Sequence, residues 1–392
     1  MNRTGRRLTA LALVVAALGV ACTDNSTESA SGSGSDAPKA TKITVDSSDD
    51  ACKLSATKAP SGNIIFSVTN SGNRVTEFEL LSEDGSSIIG EVENIGPGLS
   101  RDLVLRADAG TYETACIPGQ SGEGVRAPFT VTDSGEKQAS TKELQQLEAA
   151  ATAQYKAYVE QQTDALLAAT TTFAEAYKSG DLEKAKSLYA PTRAYYETIE
   201  PVAESFGDLD PKLDLREADL EEGQTWTGWH KIEKDLWPPA GYAVATPEQR
   251  AKDADQLVAD TQELVAKAKT VELKPDQLGN GAKELMDEVA TGKVTGEEEA
   301  WSHTDLWDFQ ANVDGARLAY QALRPIVLIK DKELADTLDT QFAAIQTELD
   351  KYKVADGFQY YTQLTQEQIK ALADSVNALG EPLSKLTSVV VL

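Results

Sequence analysis

Hydrophobic and polar positions along this chain follow two different periods. Between about Ile43 and Val131, short β-branched runs such as IIFSVTN, VTEFELL, RDLVLRA, TYETACI and PFTVT partly alternate, and SGN, DG, GPG and AG turns separate them. Period two with frequent turn signals predicts an all-β sandwich over residues 43–133. After Thr132, Ala, Leu, Glu, Lys and Gln become frequent and apolar residues recur every three or four positions, which predicts an all-α domain over residues 134–392.

The helical half carries its own punctuation. A first helix is expected from about Thr141 to Lys178, ending at Gly180, with Asp181 capping the next. Thr246-Pro247-Glu248-Gln249 combines a capping hydroxyl, a proline already near helical φ and a side chain that closes a capping box; Thr365 and Gln368 repeat the pattern. Pro191 and Pro201 fall inside apolar-periodic stretches, where kinks or breaks are expected.

Before both halves lies a third pattern. Arg3, Arg6 and Arg7 precede an uncharged apolar run from Leu8 to Ala21, shorter than the roughly 20 residues of a membrane-spanning helix. Residues 1–21 therefore read as a signal peptide. Leu18-Gly19-Val20-Ala21-Cys22 resembles a bacterial lipobox, which makes Cys22 the expected lipidation site and the protein extracytoplasmic, held at the cell membrane by a lipid anchor. Residues 22–42, rich in Ser, Gly, Asp and Thr, have the composition of a flexible tether.

Charge narrows the range of partners. The formal net charge is −26, and removal of the three arginines of residues 1–21 takes it to −29. Such a surface repels nucleic acid and anionic headgroups and concentrates cations.

The chemistry-bearing residues are few. With Cys22 lipidated, Cys52 and Cys116 remain in the β domain, either as a disulfide in an oxidising compartment or as metal ligands. The β domain has no histidine, so a blue-copper His₂Cys set cannot be built there, and Gln120 stands where an axial methionine would be expected. Both histidines of the chain, His230 and His303, lie in the helical half. On a helix, His230 and Glu233 share a face at i and i+3 and can converge on one cation, as can the acid pair Glu197 and Glu200 beside Pro201. The bland alternatives are a histidine capped by a neighbouring acid and a solvated acidic face. All five tryptophans flank the two histidine segments, and core packing is their expected role over stacking on sugar rings.

These segments carry a resemblance. Gly228-x-His230-x-x-Glu233, preceded by Tyr196-Glu197-x-Ile199-Glu200-Pro201 and followed by Ser302-His303-Thr304-Asp305-Leu306 and Asn312-Val313-Asp314-Gly315-Ala316, resembles the imelysin, or M75 peptidase-like, domain. With a cupredoxin-like domain in front, containing Glu77-Phe78-Glu79, Glu91-Val92-Glu93 and the Cys116 turn, the whole chain resembles the EfeO-type iron-uptake lipoproteins.

That resemblance implies an iron-binding protein working with a membrane iron permease and a secreted haem peroxidase. It implies a helical-domain metal site at His230, Glu233, Glu197, Glu200, Asp214 and Glu298, and a second, cupredoxin-like site at Cys52, Glu77 and Cys116. One imidazole with several carboxylates is a mostly hard ligand set, suited to Fe³⁺, Mn²⁺ or Ca²⁺ and acceptable to Zn²⁺ or Fe²⁺, so residue types alone do not choose iron; copper would need the β domain. Two enzymatic readings compete with that of a carrier: a ferroxidase using the β domain, and an M75-type metallopeptidase. The second lacks the histidine that an H-x-x-E-H zinc site requires, because Lys234 follows Glu233.

Overall fold

The computed structural model of the chain describes residues 40–85, 87–135, 141–220, 223–355 and 357–392. The expected signal peptide, Cys22 and nearly all of the 22–42 tether lie outside them.

Among the described residues nine strands form the first domain: β1 (Thr41–Ser47), β2 (Cys52–Leu54), β3 (Lys58–Pro60), β4 (Gly62–Asn70), β5 (Thr76–Leu81), β6 (Ile88–Ile95), β7 (Ser100–Ala107), β8 (Gly110–Pro118) and β9 (Val125–Thr132). They make two sheets, in the orders β2-β1-β4-β7 and β3-β9-β8-β5-β6. β1 pairs in parallel with β4, and β3 with β9; the other pairs are antiparallel. The period-two pattern sets the faces. In β4, Ile64, Phe66 and Val68 are fully buried, while Ser67 and Thr69 face outward and bond to Asp102 and Ser100 of β7. Phe66 packs on Phe78 at 5.1 Å and on Phe129 at 5.3 Å, joining the two sheets in a β-sandwich.

The helical domain comprises α1 (Lys142–Ser179), α2 (Leu182–Glu197), α3 (Leu209–Asp214), α4 (Trp229–Leu236), α5 (Pro247–Thr270), α6 (Pro275–Thr291), α7 (Asp305–Lys330), α8 (Lys332–Leu349), α9 (Gln366–Leu383) and α10 (Leu386–Val391), with a two-stranded ribbon of β10 (Lys353–Val354) and β11 (Gly357–Phe358). The expected caps are present. Thr141 and Asp181 accept from backbone N–H groups at the starts of α1 and α2, and Gly180 takes the left-handed conformation at φ 82°. Both capping boxes, Thr246 with Gln249 and Thr365 with Gln368, are closed.

The two expected proline breaks turn out differently. Pro191 does not interrupt α2, because the buried flank of Ala185, Tyr189, Thr192 and Tyr196 holds the helix through the missing hydrogen bond. At Pro201 the chain does leave the α-helix, ending α2 at Glu197 and restarting as a 3₁₀ helix over Glu200–Phe206. This break sits against α6 with no room to spare. A Cβ on Gly281 would lie 1.8 Å from the Pro201 carbonyl oxygen, so only glycine permits the contact.

The two domains are locked by polar contacts. Asn63 Nδ2 donates to the Val391 carbonyl at 2.8 Å, Arg106 N to Asp276 Oδ2 at 2.9 Å, and Asn280 Nδ2 to the Val104 carbonyl at 3.1 Å. Among the described residues no helix is long and apolar enough to cross a membrane.

Candidate metal centre

The chemistry-bearing side chains of the helical domain converge from α2, α3, α4, the 292–304 loop and the first turn of α7. Gly228 makes one of these junctions possible: its φ is 86°, and a Cβ there would lie 2.1 Å from the Leu213 carbonyl oxygen. The start of α4 is therefore pressed against the end of α3, which brings His230 beside Asp214.

His230 is fully buried. Its Nε2 lies 3.5 Å from Asp214 Oδ1 and 3.5 Å from Glu298 Oε1 and makes no hydrogen bond, while Nδ1 faces Glu233 Oε2 at 3.2 Å. Asp214, His230 and Glu298 can each offer one ligand atom within 4.8 Å of the others, and so can His230, Glu233 and Glu299. The other oxygen of Glu233 accepts the backbone N–H groups of Ser302 at 2.7 Å and Trp301 at 2.9 Å. Glu233 thus fastens the loop carrying Glu298 and Glu299 onto α4.

Two buried cations complete the cluster. Arg193, with no exposed surface, is bonded to Glu197 and Asp214, lies 2.8 Å from Glu299, and is 3.5 and 3.6 Å from Asp308 and Glu298. Lys293 Nζ lies 3.1 Å from Glu197 and 3.0 Å from Glu200. Asn312 Nδ2 donates to the same pair, at 3.0 and 2.6 Å.

Acids still outnumber these cations, and proton affinities register the excess. Burial, then the charges of Glu233 and Asp308, push Glu299 well above the usual carboxylate range. Asp308 is pushed up chiefly by burial, Glu200 by burial and Glu197, and Asp305 by burial to about 7. Burial also works against ionised Glu298 and Glu233. Lys293 and His230 outweigh it at Glu298, and His230 with the two loop N–H groups outweighs it at Glu233, so both carboxyls stay below their usual range. Burial and Arg193 oppose a charged His230, yet Glu233, Glu298 and Asp214 prevail and push it up to about 10. The cluster therefore holds protons that an added cation would displace.

The structure sorts the expected ligands. His230, Glu233, Asp214 and Glu298 come together. Glu197 and Glu200 also converge, with the Lys293 ammonium between them: a lysine 93 residues further along the chain from Glu200 folds into the gap. Arg193, Lys293 and Asp308 are outside the expected set, and Glu299 joins Glu298 from the same acidic run. Glu299 belongs to the Glu297-Glu298-Glu299 run, and Arg193 precedes Glu197 by one helical turn, so both left a trace in the sequence; Lys293 left none.

The expected second site at Cys52, Glu77 and Cys116 is corrected. Cys52 and Cys116 form a disulfide, so neither offers a thiolate to a metal. Glu77 instead accepts from Gln120 Nε2 at 3.4 Å. His303 belongs to none of the candidate ligand groups; its φ is 60°, and its backbone donates to the Glu299 carbonyl and accepts from Tyr361 N–H, each at 2.9 Å. Trp229 is fully buried against Phe173 and Tyr189, while Trp226 packs on Trp301 with Lys234 over both rings.

Residues 151–386 match the imelysin (M75 peptidase) family. An Efem/EfeO family lipoprotein of Staphylococcus haemolyticus is 48% identical over 242 residues, covering 61% of this chain and 83% of that relative. The iron uptake system component EfeO of Yersinia pestis is 37% identical over 352 residues, covering 89% and 90%, and that of Escherichia coli O1:K1 is 37% identical over 354 residues, covering 89% and 91%. Among solved structures, reduced auracyanin of Roseiflexus castenholzii matches 24% of this chain and 97% of its own, at 19% identity and a TM-score of 0.20. The chain belongs to the imelysin family and, with its β-sandwich in front, to the EfeO family.

Proposed function

We propose that this protein is an extracytoplasmic, lipid-anchored carrier that captures iron in its helical domain and hands it to a membrane iron permease, with a secreted haem peroxidase acting in the same system. Support for iron uptake comes from the relatives named as EfeO iron uptake components. One observation carries the site: the buried, unpartnered His230 Nε2 aimed at Asp214 and Glu298 at 3.5 Å each. A neutral imidazole nitrogen with carboxylate oxygens is a hard, anionic donor set for an iron ion, and it accepts zinc. Binding would displace the His230 proton and draw Asp214 and Glu298 away from Arg193. The cysteine-ligated ferroxidase reading loses its thiolates to the disulfide, and the peptidase reading finds Lys234 paired with Glu217 where a third zinc ligand would stand.

Isothermal titration of the mature protein with Fe³⁺-citrate and Zn²⁺, beside His230→Ala and Glu298→Gln, tests the reading. Saturable binding that is lost or at least tenfold weaker in both variants is expected, in the range by which altered metal-site partners reduce affinity. Wild-type affinity in His230→Ala would sink the assignment.

A further inference from the structure

A cation reaching a fully buried histidine needs a route, and the cavities on one side of the cluster outline one. A small pocket of about 170 Å³ touches Asp214 and Glu298 of the His230 site. Its outer wall is Leu215, Arg216, Asp219 and Glu288, and the same four residues line a cleft of about 1060 Å³. The far wall of that cleft belongs to the β domain and includes Glu77, Glu93 and Gln120, so the cleft runs between the two domains.

Arg216 stands where pocket and cleft meet. Its Nε donates to Asp219 Oδ2 at 2.7 Å and its Nη1 to Glu298 Oε2 at 3.3 Å, with Glu297 at 3.9 Å. Glu298 therefore faces two ways, one oxygen towards His230 Nε2 and the other towards Arg216. The backbone at this point is pinned. Trp226 Nε1 donates to the Leu215 carbonyl at 2.7 Å, and Lys234 holds Glu217. The Arg216 side chain, about one-third exposed, is the part free to swing.

We propose that the cleft between the two domains is the entrance by which the metal cation reaches the His230 site, and that Arg216 is the latch across it. The proposal rests on the carrier reading above. Acidic walls attract the cation, and a positive ion arriving at Glu298 competes with the guanidinium for the same carboxylate and repels it outward. Opening then requires a side-chain rotation and no movement of either domain.

Stopped-flow tryptophan fluorescence with Zn²⁺ and with Fe³⁺-citrate, at low and high ionic strength, tests the route; Trp226 and Trp301 lie beside the latch. Arg216→Ala should associate about tenfold faster or more, with Arg216→Lys in between, at unchanged stoichiometry. A Gln120→Lys, Glu297→Lys double variant, which puts positive charge on both walls, should associate about tenfold more slowly at low salt, the difference closing at high salt. A wild-type association rate in Arg216→Ala or in the double variant overturns the route and leaves the His230 site standing. Undiminished binding in His230→Ala, or none in the wild type, instead removes the carrier reading and the route with it.

Discussion

Glu233 joins two parts of the cluster that are 68 residues apart in sequence: Oε2 faces His230 Nδ1 at 3.2 Å, while Oε1 accepts the N–H groups of Trp301 and Ser302 at 2.9 and 2.7 Å. One carboxylate both charges the imidazole and anchors the loop that supplies Glu298. Replacing Glu233 by Gln keeps an acceptor for the loop and removes the charge beside His230. The His230 pKa should then fall from about 10 towards the ordinary imidazole value. With only two histidines in the chain, imidazole NMR signals read this directly. Glu233→Ala removes the anchor as well and should cost about 3–5 kcal/mol in urea unfolding, the usual loss when one partner of a buried ion pair is deleted.

Lys293 makes a related prediction. Its ammonium is fully buried between Glu197 and Glu200, with Glu288 at 3.6 Å. Lys293→Met leaves Glu200 without its ion-pair partner and Glu197 with Arg193 alone, and should destabilise the protein by about 3–5 kcal/mol. Millimolar divalent cation should raise the melting temperature of the variant more than that of the wild type.

The disulfide is expected to stabilise the sandwich without serving the metal centre. It closes a separation of 64 residues, for which chain entropy gives roughly 4 kcal/mol. A Cys52→Ser, Cys116→Ser double variant should lose stability of that order and keep wild-type stoichiometry at the helical site. Loss of a metal equivalent in isothermal titration would restore the cysteines as ligands.

Stability should also depend on pH through the β domain. Burial, then the charge of Glu77, push Glu79 up to about 8 from an unfolded value near 4.5. Between those values the folded state binds more protons than the unfolded one, so the contribution of Glu79 is full below about pH 4.5 and is lost as pH rises towards 8. Melting temperatures at pH 5, 6.5 and 8 should decline across the series, and Glu79→Gln should flatten the decline.

Much of the architecture is legible in local pattern. Alternation around Ile64, Phe66 and Val68 marks an inward strand face, and Thr141, Gly180, Thr246 and Thr365 mark helix ends, because caps and pleats act within a few residues. Pro191 shows the limit of that reading: proline lacks an N–H in any context, but whether a helix breaks there depends on what packs against its flanks. The site divides in the same way. His230 and Glu233 are readable as a pair because one helical turn fixes their spacing. Asp214 and Glu298 required the family resemblance, and Lys293 was readable from neither.

By itself, then, the sequence determined the two-domain order, the helix ends at Thr141, Gly180, Thr246 and Thr365, and the residue types able to hold a cation. Tertiary structure decided which acids share His230, that the Lys293 ammonium lies between Glu197 and Glu200, and that Cys52 meets Cys116 as a disulfide. The physical reason is range. Hydrogen bonding and periodicity act over a few residues of chain, whereas burial brings distant charges together in a low-dielectric interior, where each must find a partner or a proton.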